Sequence, residues 1–190
     1  DVTTDSGAIE TIEDEYTVSG YRISEAWAKE QHVYFVAQFS QKMRDLGGIQ
    51  GHTNTFKFDS KEIMVKIGIS AVSVEGARKN LEAEIPHWDF NKIKKETQQA
   101  WELELSKISI EANDEQKEIF YTALYHSLLN PNIFSDVDGK YRGTDLQIHE
   151  SDKNVYTVFS LWDTYGATHP LFTIIEQEKT NEFINTFLLQ

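Results

Sequence analysis

Polar and apolar positions alternate along the N-terminal part of the chain and shift to a helical period near residue 80. Tyr16–Ile23 alternates. His32–Phe39 is rich in β-branched and aromatic residues. In Glu62–Ser70, Ile63, Val65, Ile67 and Ile69 fall on one face of a strand. Leu46-Gly47-Gly48 and Asp59-Ser60 supply turn signals between these runs. The pattern predicts four or five antiparallel strands. So few strands leave sheet edges to cover, which suits the last part of a β-sandwich better than a complete one.

Beyond residue 74 the signals are helical. Glu75–Ile85 predicts a short helix closed by Pro86, and Asp89 is placed to cap a longer one. Phe90, Ile93, Thr97, Trp101 and Leu105 recur along that second helix, where Trp101 suits core or interface packing. Asn113 opens a third helix, with Gln116 three positions on as in a capping box. Its apolar stripe is Ile119, Phe120, Ala123, Leu124 and Leu128, and Asn130-Pro131 stops it. A turn-rich loop covers Phe134–Gly143, and another element starts within Val155–Phe159. The pattern then predicts a helix over Ser160–His169 ended by Pro170, and a last one over Glu176–Gln190 with Phe183, Ile184, Phe187 and Leu188 as its stripe. That stripe meets no Gly, basic last turn or Pro, so the expectation is a chain cut within a domain. A short natural C-terminal helix is the plain alternative. Strands followed by successive helices make this an α+β arrangement with a helical array.

The 190 residues suffice for one domain or two incomplete ones, and a 12% aromatic share argues against disorder. Net charge is −13, without a basic block or basic face, so nucleic acid and anionic membranes are poor partners. An acidic surface suits a neutral ligand such as a sugar, as it suits many other proteins. No cysteine is present, which removes disulfides, thiolate metal sites and a cysteine nucleophile. No apolar run is long enough for a membrane span, and Asp1–Glu10 carries no signal-peptide pattern.

Two motifs could carry chemistry. Ser135-Asp136-Val137-Asp138-Gly139 opens like a cation-binding loop, but the later ligands and closing Glu of an EF-hand are missing. A turn whose Asp side chains cap backbone donors fits it better. Ser160-Leu161-Trp162-Asp163-Thr164-Tyr165, followed by His169-Pro170, joins an aromatic face to a carboxylate. That pairing suits a pyranose, and spacing alone fits a buried Trp beside a capping Asp equally well. His126, His149 and His169 are scattered without metal-ligand spacing. Gly47-Gly48-Ile49-Gln50-Gly51 lacks the Lys of a phosphate loop.

An ordered series of motifs resembles glycoside hydrolase family 92. It runs through Val65–Ser73, Asn80–Pro86, Trp88-Asp89-Phe90, Phe120–His126, Phe134–Gly143, Tyr156–Tyr165 and His169-Pro170-Leu171, with Val33–Ala37 as a weaker match. The resemblance implies the end of an antiparallel β-sandwich over residues 1–74, a helical linker over 75–110 and the opening helices of an (α/α)6 barrel over 111–190. It implies calcium-dependent, inverting hydrolysis of terminal α-mannosides of glycans, outside the cell or in the periplasm. The general acid, the general base and most calcium ligands are implied to lie after Gln190, with the rest of the barrel, so no catalytic or metal residue is assigned here. What carries over is Trp162 and Asp163, as contacts to the non-reducing mannose. Asp136, Asp138, Tyr141, Arg142 and His169 are weaker pocket or scaffold candidates. Gly166 stands where a larger or basic residue is expected. A non-catalytic carbohydrate-binding or scaffold module, or a related barrel enzyme such as a phosphorylase or glucosidase, are the competing readings.

Overall fold

A computed structural model describes residues 8–25, 28–50 and 53–189. The N-terminal segment read for a signal sequence lies partly outside them, as do Gly51 and Gln190. The chain divides into two compact units, one of Asp1–Trp88 with Ser135–Asp152, the other of Asp89–Phe134 with Lys153–Gln190.

The first unit is built on an antiparallel sheet in the order β1-β2-β3-β6, from β1 (Ala8–Ile12), β2 (Thr17–Ser24), β3 (Gln31–Phe39) and β6 (Val65–Ser70). The alternating run at Tyr16 and the β-branched and aromatic run at His32 mark β2 and β3 closely, and β6 starts later than Glu62. Leu46-Gly47-Gly48 is not a turn. It lies in β4 (Asp45–Gln50), which pairs with β5 (Thr53–Lys57) across a register shift between Gly47 and Gln50. Glycine suits such an irregularity in a strand as well as it suits a turn.

Helix α1 (Val74–Glu84) starts where the Ser73 hydroxyl accepts from the Gly76 amide, satisfying one of the first-turn donors. It packs on the sheet through Ala77 and Leu81 against Val36, with Val74 and Ile85 alongside. Gly68 allows this contact, because a Cβ there would lie 2.2 Å from the Ala77 carbonyl oxygen. The apolar row of β6 points the other way. Ile67 and Ile69 are 57% and 62% exposed, while Gly68 and Ser70 on the alternate face are buried. Backbone-close packing by α1 therefore selects the small residues of β6, and the period-2 pattern alone does not reveal which face is covered.

Ser135–Asp152 carries the hairpin of β8 (Lys140–Arg142) and β9 (Ile148–Glu150). In the second unit, β7 (Asn132–Ile133) pairs with β10 (Tyr156–Thr157). Helix α2 (Phe90–Leu105) is capped by Asp89, whose carboxylate accepts from the Lys92 amide. Helix α3 (Asp114–Ser127) opens on the Asn113/Gln116 capping box. Trp101 and Tyr125 meet between these helices with ring centroids 4.5 Å apart.

The Ser160–His169 helix is two pieces, α4 (Leu161–Thr164) and α5 (Thr168–Ile175). Pro170 stands in the first turn of α5 rather than ending a helix, because first-turn positions need no backbone donor. Helix α6 (Gln177–Leu189) buries Phe183 and Thr186, whereas Ile184 and Leu188 of the expected stripe are exposed. Tyr156, Phe172 and Phe183 form the core of this unit, joined by Leu128, Phe159 and Ile175. Burial and the hydrogen bond to Glu182, 2.5 Å away, push the Tyr156 phenol up to about 12.

Candidate functional site

Trp162 lies in the four-residue α4 and is 85% exposed among the described residues. Asp163 beside it is exposed as well, and the Ser160 hydroxyl donates to its Oδ2. Ser160 also accepts through its backbone carbonyl, from the amides of Asp163 at 3.0 Å and Thr164 at 3.2 Å and from the Thr164 hydroxyl at 3.0 Å. Tyr165, which closes the turn, is 74% exposed.

The approach to this turn is constrained on both sides. Val158 has φ +64°, a left-handed backbone that a β-branched residue adopts only under strain. Phe159 then enters the core, with its ring 4.5 Å from that of Phe187 and 5.7 Å from that of Phe183. His169 is half-buried against Phe172 and Phe183, each 6.2 Å away. A Cβ on Gly166 would meet nothing within 4 Å, so the position has room for a larger side chain.

The other candidates belong to the first unit and are held by protein partners. Asp136 is 5% exposed and accepts from Ser70 Oγ at 2.7 Å and Asn80 Nδ2 at 2.8 Å. Asn80 Oδ1 in turn accepts from the Val137 amide at 2.9 Å. Asp138 pairs with Lys79 at 3.0 Å and Lys140 at 3.2 Å. The bond from Lys79 outweighs partial burial and holds the Asp138 carboxyl below the usual carboxylate range. Arg142 donates to the backbone carbonyls of Ala71, Leu146 and Val72. Tyr141 is buried at 3% exposure. These side chains fasten the Ser135–Asp152 segment within its unit, a scaffold role. Ser135–Gly139 does turn, with the Gly139 amide donating to the Asp136 carbonyl at 2.8 Å and Gly139 at φ +83°. The Asp138 side chain caps the Lys140 amide at 3.3 Å, whereas the Asp136 side chain takes side-chain donors rather than backbone ones.

The clefts of the first unit lie elsewhere. One of about 360 Å³ is lined by Tyr16, Gln38, Phe39 and Trp88, and one of about 490 Å³ by Gln41, Glu62, Met64 and Trp88. Neither contains a residue singled out in the sequence as a sugar contact. A cation would need several oxygen or nitrogen ligands converging on one point. Among the described residues, no group of three or more His, Asp or Glu side chains is arranged to hold a metal ion. Asp136 and Asp138 are each occupied by protein donors instead.

The second unit carries one further polar cluster. Lys107 reaches both Glu104, at 2.5 Å, and the buried Glu176, and Lys179 reaches Glu104 at 3.2 Å and Glu176 at 3.4 Å. Burial opposes ionisation of Glu104, but hydrogen bonding to Glu176, Lys107 and Lys179 outweighs it and brings its pKa down to about 2. Sequence reading missed this cluster, and it gave Ser160 and Val158 no role of their own although both lie within the motifs. Only the i,i+3 spacing of Ser160 and Asp163 hints at their bond, and nothing in a valine hints at a left-handed backbone.

What this arrangement offers is an exposed indole next to a carboxylate on one turn. An indole face carries the negative end of its quadrupole and accepts C–H groups, while an ionised carboxylate accepts from hydroxyls. Several known proteins resemble this chain. Residues 76–190 match the family described as the glycosyl hydrolase family 92 catalytic domain. A solved family GH92 alpha-mannosidase from Bacteroides thetaiotaomicron is 36% identical with a TM-score of 0.86, over 95% of this chain and 27% of that one. That enzyme is also solved in complex with mannoimidazole. A family GH92 inverting mannosidase from Bacteroides thetaiotaomicron VPI-5482 is 26% identical with a TM-score of 0.83, over 96% of this chain and 28% of that one. An uncharacterized secreted glycosidase from Arthroderma benhamiae is 31% identical over 78 residues, 38% of this chain and 10% of that protein. The chain thus spans little more than a quarter of the solved mannosidases it matches.

Proposed function

Because the chain belongs to glycosyl hydrolase family 92, we propose that it is a portion of a calcium-dependent, inverting α-mannosidase acting on terminal α-mannosides of glycans. On this reading residues 1–74 close a β-sandwich, 75–110 form a helical linker and 111–190 supply the first helices of an (α/α)6 barrel. Trp162 and Asp163 contact the non-reducing mannose. The observation that carries the reading is Trp162, 85% exposed beside a carboxylate on a strained, anchored turn. An indole so placed offers its face to the apolar side of a pyranose.

The role of each side chain follows from its chemistry. Trp162 covers the apolar face of the sugar ring and orients it. Asp163 accepts from a ring hydroxyl and fixes rotation about that stack. Inversion requires a carboxylic acid to protonate the leaving oxygen and a carboxylate to activate water on the opposite face. Neither role is assigned to a residue of this chain. Calcium, when bound, would help to hold and distort the mannose. The described residues offer it no cluster of ligands. A secreted relative supports an extracellular or periplasmic setting, and among the described residues no helix is long and apolar enough to cross a membrane.

The test is mannose release from α-1,2-mannobiose by the full-length protein, with calcium and after chelation. Release that falls on chelation and returns with calcium is expected. A protein inert on α-mannosides with calcium present overturns the assignment.

A further inference from the structure

A carboxylate on an exposed turn rotates freely unless something holds it, and a sugar-binding carboxylate gains from being held before the ligand arrives. Asp163 has two oxygens, and Oδ2 takes the hydrogen bond from Ser160 Oγ. The same serine fixes the Asp163 backbone, because its carbonyl accepts the Asp163 amide at 3.0 Å. Residue 163 is thereby gripped at main chain and side chain by one residue three positions earlier.

Ser160 is itself delivered by the chain before it. Val158 turns the backbone through φ +64°, and Phe159 is then packed against Phe183 and Phe187. Strain of this kind persists only where surrounding structure over-determines it, and it gathers at functional sites. Ser160 lacks the usual helix-capping bond from its side chain to a first-turn amide. Its hydroxyl is spent on the Asp163 carboxylate instead.

The geometry points to Ser160 as the residue that positions Asp163 for the sugar, holding Oδ2 so that Oδ1 is presented to a ring hydroxyl. This rests on the reading of Asp163 as a sugar contact. Ser160 is a positioning residue here, acting through Asp163, and it needs no contact with the ligand.

The experiment compares S160A, S160T, D163A and the double variant in the full-length protein, by kcat and KM on α-1,2-mannobiose. S160A is expected to lower kcat/KM about tenfold, and S160T, which keeps the hydroxyl, to restore most of it. In the D163A background, adding S160A is expected to change kcat/KM less than about twofold, because the residue it acts through is gone. Ser160 is exposed, so melting of S160A alongside the parent excludes a folding defect. If D163A is crippled and S160A is not, the inference fails and the sugar-contact reading stands. Fully additive losses in the double variant also overturn it. If D163A itself retains full activity, the sugar-contact reading fails and takes the inference with it.

Discussion

A Cβ added at Gly76 would lie 2.2 Å from Oδ2 of Asp136 and 2.8 Å from Oγ of Ser70. Helix α1 and the Ser135–Gly139 turn thus share a contact that only glycine leaves open. Through it a buried carboxylate reaches the first turn of a helix, where negative charge is favoured. G76A is expected to destabilise the first unit by roughly 1–3 kcal/mol, as overpacking does. D136A removes the acceptor of Ser70 and Asn80 and should cost about 2–3 kcal/mol. Hydrogen exchange of the Val137 and Gly139 amides checks both. Unchanged protection in D136A would mean the turn is held by something else.

Gly68 and Gly166 make opposite predictions from the same substitution. A Cβ at Gly68 meets a backbone carbonyl and Leu81 Cβ at 2.7 Å, neither of which is a flexible side-chain end. G68A should push α1 off the sheet and cost about 2–3 kcal/mol. Gly166 faces open space, so G166A should stay within ~0.5 kcal/mol of the parent. Urea midpoints of the two variants compare them directly, and equal losses would contradict the packing described for α1.

Glu104 ties stability to acid. Its carboxyl drops from 4.5 to about 2 on folding, so the folded state binds its proton less tightly than the unfolded chain. The resulting stability is present above pH 4.5 and drains away as pH falls toward 2. E104Q should lose ~1–2 kcal/mol at pH 7 and show a flatter acid limb, since only the ionised form gains from Lys107 and Lys179. Melting curves from pH 7 to pH 3 test this. Parallel acid limbs for the two proteins would remove Glu104 from the account.

Capped helices were the most legible part of the sequence. Asp89 and Asn113–Gln116 announce α2 and α3, because a cap is a local bond between near neighbours. The runs of β2 and β3 were legible from the alternation and the β-branched and aromatic content carried within each strand. What depended on distant partners was not. The face of β6 that is covered depends on α1, and Ile67 and Ile69 lie on the other one. Pro170 has the same local signature whether it ends a helix or starts one, and only the break after α4 decides. The family was legible from the order of its motifs, and the match over residues 76–190 bears it out. At the candidate site the residues Trp162 and Asp163 could be named in advance. The exposure of the indole, the strained Val158 and the grip of Ser160 on the carboxylate required the fold.

Trp162 gives the sharpest separation of function from stability. Trp162 lies outside the aromatic core of the second unit, 85% exposed among the described residues, so W162A is expected to leave that core intact, which melting beside the parent checks. The decisive measurement is hydrolysis of α-1,2-mannobiose by the full-length protein and its W162A and D163A variants. The account predicts a loss of kcat/KM of at least about a hundredfold in each, on the order of 3 kcal/mol of transition-state binding, with folding intact. Variants that keep full activity would contradict it and remove both residues from the sugar site.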